Sequence, residues 1–397
     1  MAWTMRFFAD YIGKRYPQAV ETAEAMTQGR GAALNGLDPR WMWGLHRSLD
    51  QANLAALDKR LLTVMAASSY DPADPSFTID DGRGSAQALL AGRLLAEGDR
   101  AGALAMMAGL TSVSAITEVL FNPDLRTASQ PAPNLRAAAE ADLRRSRDLK
   151  NRYPDSLRLI IAEANTLRQL GRPSDAIVVL EAARGRINSK RPFADQGETL
   201  PWWWNELGYA NSMAGNYEGM TASFASGSAV SESGMPNVSQ VINLGSQQIA
   251  FARYDDALRT VSAEFLKREM SPYGKMQALS VRGCALALSG EANEAQALLR
   301  EVTAHESDDP ATVTDLRLCL GDDVGAAASL VRRLSHAALR ANALKELAHY
   351  ADPIAGQPSD PRQVRRAKVA QRAEVQQALA AAGGVVDIPL QRNALGW

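Results

Sequence analysis

Cysteine is nearly absent from this chain: Cys284 and Cys319 are the only two in 397 residues. Two isolated thiols make neither a disulfide framework nor a metal site. They fall in adjacent predicted helices, close enough to meet in principle, but the expectation is a pair of small buried hydrophobes. Histidine is almost as scarce, and His46, His305, His336 and His349 are spread over separate helices or loops. His336 and His349 bracket one predicted helix, too far apart to share a metal. No uninterrupted apolar run of about 18 residues occurs, so no spanning helix is expected. Arg6, Asp10, Lys14 and Arg15 stand where a signal peptide needs apolar residues. The expected location is therefore cytoplasmic, or periplasmic if a leader peptide is missing from this chain. Charge of one sign is lacking too. The 43 Lys+Arg against 44 Asp+Glu leave a formal net charge of -1, which supplies no overall field to draw in a phosphate backbone, so nucleic acid is not an expected partner. The patterns H-E-x-x-H, C-x-x-C, G-x-x-x-x-G-K-[ST], G-x-S-x-G and G-x-G-x-x-G do not occur, and no enzyme chemistry, metal or cofactor is expected.

What the chain has is one phrase repeated. A small residue ends a helix, a short or polar pair follows, and Ala with an apolar residue opens the next helix. It reads GDRAGALAMM from Gly98, GRPSDAIVVL from Gly171, GNYEGMTASF from Gly215, ARYDDALRTV from Ala252 and GEANEAQALL from Gly290, with a worn copy, GDDVGAAASL, from Gly321. From Gly171 onward these start about 31 to 44 residues apart, the period of stacked helical hairpins that hide their apolar faces only against one another.

The clearest copy carries Trp204, Leu207 and Gly208 in its first helix, then Gly215, Tyr217 and Phe224. Trp204 and Leu207 share a helical face, Gly208 permits close approach of the second helix, and Phe224 fills the space between them. The next copy keeps Leu244, Gly245, Tyr254, Ala257 and Val261; the one after keeps Gly283, Gly290, Ala295 and Leu299. In these residues the chain resembles the tetratricopeptide repeat family, whose unit is two antiparallel helices with a W-x2-L-G core. Met220, where the family has Ala, and Ala164, where later copies have Gly, depart from the pattern. The resemblance runs from Leu157 to Leu330 and is weaker from Ser85 to Leu110. It implies an all-α fold, a right-handed superhelical solenoid of antiparallel hairpins, with a concave groove for a protein or peptide partner.

Three segments follow: 1–84 as an N-terminal helical segment, 85–334 as the repeat array, and 335–397 as capping helices and tail. In the first, helices are expected over Ala2 to Gln28, from Asp38 and Pro39 onward, and over Gln51 to Ser68, before a turn-rich stretch from Asp71 to Gly84. Asn134 to Pro154 reads as a second helix whose partner is spoiled by Pro131 and Pro133. The acidic stretch HESDDP, His305 to Pro310, is expected to cap the next helix. At the far end Ser335 is expected to cap a helix through Tyr350. A final helix runs from Pro361 to about Ala382 and is stopped by Gly383 and Gly384.

Pro201, Trp202, Trp203 and Trp204 are the sharpest local anomaly, because three aromatics in a row point in three directions from one turn. With Trp204 as the packing residue, Trp202 falls with Asn205 and Tyr209 on the groove face; alternatively, Trp202 and Trp203 pack beneath the preceding insertion RGRINSKRPFADQGETL. The same register makes the expected peptide-binding wall Asn165, Arg168, Trp202, Asn205, Tyr209, Ser212, Ser246 and Gln277, with Ile249 and Ser280 beside them. The family's Lys and Asn clamp for a terminal carboxylate is missing. Arg168 and Arg282 are the only candidate cations, so a segment held by amide and aromatic contacts fits better. The basic runs Arg144 to Arg152 and Arg362 to Arg372 read as solvated helix faces.

The leading expectation is a scaffold or adaptor without chemistry of its own. One alternative is an α/α toroid glycosidase using Glu206 with Glu198 or Asp195. Another is a peptide-responsive regulatory sensor, although the N-terminal third offers no basic recognition helix.

Overall fold

The computed structural model describes residues 2–27, 31–72, 82–129, 134–231 and 237–392. Most of the turn-rich stretch after Asp71, and Pro131 and Pro133, lie outside the described residues. The chain forms two compact units that divide between Arg152 and Tyr153.

Unit 1 is helical: α1 (Ala2–Ile12), α2 (Tyr16–Thr27), α3 (Gly31–Leu34), α4 (Pro39–Gln51), α5 (Ala55–Ala66), α6 (Gly82–Ala96), α7 (Arg100–Met107), α8 (Val113–Phe121), α9 (Pro123–Ala128) and α10 (Leu135–Arg152). The single helix expected over Ala2 to Gln28 is two. Lys14 adopts φ 54 after Gly13, which reverses the chain, and Pro17 sits in the first turn of α2, where its missing N–H costs nothing. The expected start at Asp38 is present, its carboxylate accepting from the Arg40 amide at 2.8 Å. Phe7, Met26, Leu45, Leu61 and Tyr70 are among the side chains of its apolar core.

Unit 2 stacks five hairpins. They are α11 (Leu157–Gln169) with α12 (Pro173–Ile187), α13 (Gln196–Met213) with α14 (Tyr217–Ser228), α15 (Val238–Ala250) with α16 (Tyr254–Thr260), α17 (Pro272–Ser289) with α18 (Ala292–Ala304), and α19 (Pro310–Leu320) with α20 (Asp323–Ser335). Every one of the six repeat-start residues, the unit 1 copy at Gly98 included, is left-handed: Gly98, Gly171, Gly215, Gly290 and Gly321 have φ between 75 and 100, and Ala252 has φ 55. The repeated small residue is therefore a helix terminator, and at Ala252 its Cβ costs about 1–2 kcal/mol that glycine avoids.

Within a hairpin the helices meet where the sequence places a glycine. A Cβ on Gly208 would lie 2.7 Å from the Phe224 ring, and one on Gly245 would lie 2.8 Å from Val261. Three of the four successive pairs of first helices pack on each other, α11 on α13, α15 on α17 and α17 on α19, while successive second helices barely meet. The stack is thus joined along one side of this all-α repeat array, the first-helix side, which is the inner face of the expected solenoid.

Two core expectations are corrected. Cys284 and Cys319 form a disulfide, with Cα atoms 5.1 Å apart and a sequence separation of 35. That separation is one repeat, so the same register position recurs on α17 and α19 and the two thiols meet. Among the tryptophans, Trp203 rather than Trp204 is fully buried, its Nε1 donating to the Leu180 carbonyl at 3.2 Å. α13 begins at Gln196, ahead of Pro201, and so extends far enough for Trp203 to reach across to α12. Trp204 is half-buried beside Trp203, its Cβ in the space Gly227 leaves open, and the Arg184 guanidinium lies over both rings at 5.2 and 5.0 Å.

Beyond the array come α21 (Ala337–Leu347), β1 (His349–Tyr350), α22 (Pro361–Ala370), α23 (Ala373–Ala381) and β2 (Asp387–Ile388), with β1 and β2 paired in parallel. Ser335 is not the expected cap. It ends α20, and its hydroxyl donates to the Val331 carbonyl at 2.8 Å. The expected single helix after Pro361 breaks at Gln371 and Arg372, while Gly383 and Gly384, at φ 95 and 84, end it as expected.

Candidate functional site: the inner face of the repeat array

Most of the eight wall residues are engaged by neighbouring side chains. Arg168 is buried and makes a two-pronged ion pair with buried Glu206, Nη2 to Oε2 at 2.9 Å, and its guanidinium also lies 5.3 Å from the Tyr209 ring centre. Asn165 accepts from Gln169 at 3.0 Å. Ser212 is buried and donates to Gln247 at 2.6 Å, and Asn205 accepts from the Asn243 amide at 2.9 Å, so α13 is laced to α15 by side chains. Gln277 donates to Asp309 at 2.6 Å, joining α17 to α19. Asp309, from the acidic stretch expected to cap the next helix, also accepts from the Ala311 amide. Burial raises the Asp309 pKa against the effect of its hydrogen bonds. Tyr209 packs edge-on to Phe224 at 5.2 Å. Burial pushes its phenol up to about 12, with Arg168 opposing and Glu206 adding to the rise.

Both candidate cations are committed inside the fold. Arg168 holds Glu206, and Arg282 donates to the Val261 carbonyl at 3.1 Å. The candidate carboxylates of the glycosidase alternative are dispersed in the same way. Glu206 is in the buried pair, Asp195 accepts from the Leu157 amide at 2.7 Å and from the Ser156 hydroxyl at 2.7 Å, and Glu198 is exposed.

The C-terminal segment crosses this face. The Gln391 amide donates to the Gln169 carbonyl at 2.9 Å, at the end of α11. Gly356 abuts Gly215, where a Cβ would lie 2.4 Å from the Gly356 carbonyl oxygen. The Arg362 Nη2 donates to Ser246 Oγ at 3.0 Å on α15, Arg365 pairs with Asp323 at 2.7 Å, and buried Arg366 pairs with Asp315 on α19. The basic run from Arg362 is thus not the solvated face expected from sequence, because α22 turns three of its arginines toward the array.

What this segment leaves accessible lies nearer the N-terminal ends of the first helices. Trp202 is 48% exposed and Tyr273 is 58% exposed, and Asn205, Asn243 and Gln277 are half-buried. Asn243 and Tyr273 escaped the sequence reading. Asn243 carried a signal, since it follows Asn205 by 38 residues, one repeat.

Unit 1 holds a polar cluster that sequence reasoning also missed. Asp58, fully buried, contacts His46 Nδ1 at 2.6 Å and Arg93 Nη2 at 2.8 Å, and Arg93 reaches Asp50 at 2.7 Å. These contacts pin α4, α5 and α6 together. Among the described residues no group of three His, Cys, Asp or Glu side chains is placed to hold a metal, and no helix is long and apolar enough to cross a membrane.

No protein-family model matches this chain, and no curated protein matches it. Among solved structures it is similar to the crystal structure of the APC/C hetero-tetramer Cut9-Hcn1, at 11% identity over 95% of this chain and 92% of that one, with a TM-score of 0.29. A likeness of that size carries no argument, and the fold stands on the helices themselves.

Proposed function

We propose that this protein is a non-catalytic scaffold or adaptor, and that the inner face of unit 2 binds a segment of a protein partner through Trp202, Asn205, Asn243, Tyr273 and Gln277. One observation carries the reading: a stretch of polypeptide from the chain's own residues 351–366 already reaches this face, Arg362 bonding Ser246 and Arg366 pairing with Asp315. Exposed aromatics beside amides supply contact area and directional bonds at low entropic cost. Glu206 and Asp195, two of the three carboxylates considered for acid and base work, are engaged in bonds within the fold, which favours binding over chemistry.

Replacing Trp202 and Asn205 together with alanine is expected to abolish capture of partners from the native host and to move the unfolding midpoint only slightly, because Trp202 is half in solvent. Quantitative mass spectrometry of captured proteins checks this. Unchanged partners from a folded double variant would remove Trp202 and Asn205 from the site.

The Cys284–Cys319 bond also favours an oxidising compartment, hence the periplasmic alternative over the cytoplasmic one. Protein alkylated at once on lysis of the native host is expected to show no reactive thiol after denaturation. Two alkylated cysteines would return the chain to a reducing compartment.

A further inference from the structure

The C-terminal segment has two chemically distinct halves. From Ala373 to Leu390 it is apolar where it is buried: Val375, Leu379, Ala382, Val386, Ile388 and Leu390 are all enclosed, and α23 packs on α20. That half is an anchor. From Ala351 to Arg366 the character changes. Asp352, Pro353, Ala355, Gly356 and Ser359 are exposed, Ile354 is only half-buried where it meets Gly171, and no helix or strand forms before Pro361. This half is held chiefly by arginines.

The arginines sit in sockets supplied by the array. Arg362 reaches Ser246 Oγ and is fixed in its extended form by Asp360, which accepts from its Nη2 at 2.7 Å. Arg365 donates to Asp323 at 2.7 Å and to the Gly321 carbonyl at 3.3 Å, and Lys368 adds a contact to Asp323 at 3.2 Å. Arg366 pairs with Asp315 and lies 3.8 Å from Glu346, which also holds Arg333. Burial would lower the pKa of Arg362, but the charge and hydrogen bonds of Asp360 outweigh it and hold the guanidinium charged. Desolvation offsets much of the attraction within buried ion pairs, so contacts of this kind specify a position more than they add stability.

We propose that residues 351–366 are an exchangeable ligand of their own array, and that the partner replacing them presents a helix opening on proline with arginines at the spacing of Arg362, Arg365 and Arg366. This rests on the inner face being the binding surface and adds the chemistry of the partner and the means of control. Occupancy by the arm lowers the apparent affinity for any such partner by the fraction of time the face is free.

The test uses the full chain and a fluorescent synthetic peptide of residues 351–372. Wild-type protein is expected to bind it weakly. The variant Arg362→Ala/Arg365→Ala, whose own arm is loosened, is expected to bind it about tenfold tighter or more. Adding Asp323→Asn to that variant is expected to remove the gain, and raised salt to weaken it. Equal binding by wild type and loosened variant overturns the proposal, as does a gain that survives Asp323→Asn. Should the loosened variant not fold, hydrogen exchange on the wild type decides. Faster exchange at residues 362–366 than in α17 supports an exchangeable arm, and equal protection overturns it. An arm-swapped dimer in sedimentation also overturns it, since the ligand would then come from a second copy. The Trp202→Ala/Asn205→Ala capture experiment uses neither peptide nor arm, so its failure and the failure of this proposal are distinguishable.

Discussion

Truncating Phe224 to alanine is expected to cost about 3–5 kcal/mol, the range for removing a buried aromatic ring. Phe224 is fully buried, lies against Gly208 of its own hairpin, and packs in one cluster with Met220 and Leu244, the last of these on α15. The cavity would therefore open between α13 and α14 and also loosen their join to the next hairpin. In a quasi-linear array each hairpin depends on its neighbours, so the expected result is a lower urea midpoint with the later hairpins melting alongside. Trp202→Ala, measured in parallel, is expected to shift the midpoint far less. Equal losses in the two variants would mean that Trp202 is core and that the inner-face register is wrong.

Glu206→Ala is expected to be of comparable severity for an electrostatic reason. Arg168 and Glu206 have side chains only 3% and 6% exposed, and removing the carboxylate leaves a buried guanidinium without its counter-charge, a loss of about 3–5 kcal/mol. Replacing both, as Arg168→Met/Glu206→Leu, is expected to recover most of that stability, because a buried pair of this type is worth little more than apolar groups of similar volume. A double-mutant cycle by urea denaturation gives the coupling. If Glu206→Ala unfolds within about 1 kcal/mol of wild type, the pair is not structural, and the carboxylate would again be open to the acid and base role of the glycosidase alternative.

The hairpin spacing, the glycines at helix crossings and the terminators at helix ends were all legible before any coordinates, because each is a local steric requirement. Gly208 must be small because Phe224 crosses it, and Gly171, Gly215, Gly290 and Gly321 must tolerate a left-handed backbone. The proposed peptide-binding wall was legible only as a set of positions. Arg168 reads as an available cation in sequence, and its partner Glu206 stands 38 residues away, on the next first helix. Ser246 reads as open groove, and the arginine that reaches it is 116 residues downstream. Trp203 and Trp204 differ by one position, and which of them is enclosed depends on how far α13 extends ahead of Pro201.

The amino-acid sequence by itself determined that this is an array of helical hairpins with a first-helix face on one side, since 3.6-residue periodicity and left-handed stops act within a single turn or a single hairpin. Only the tertiary structure decided that Cys284 meets Cys319, that Arg168 is bound to Glu206, and that Arg362 and Arg366 reach Ser246 and Asp315 on first helices. Those contacts join residues one repeat or more apart, and pairing at that distance is set by how neighbouring hairpins and the C-terminal segment pack on each other, which no local rule encodes.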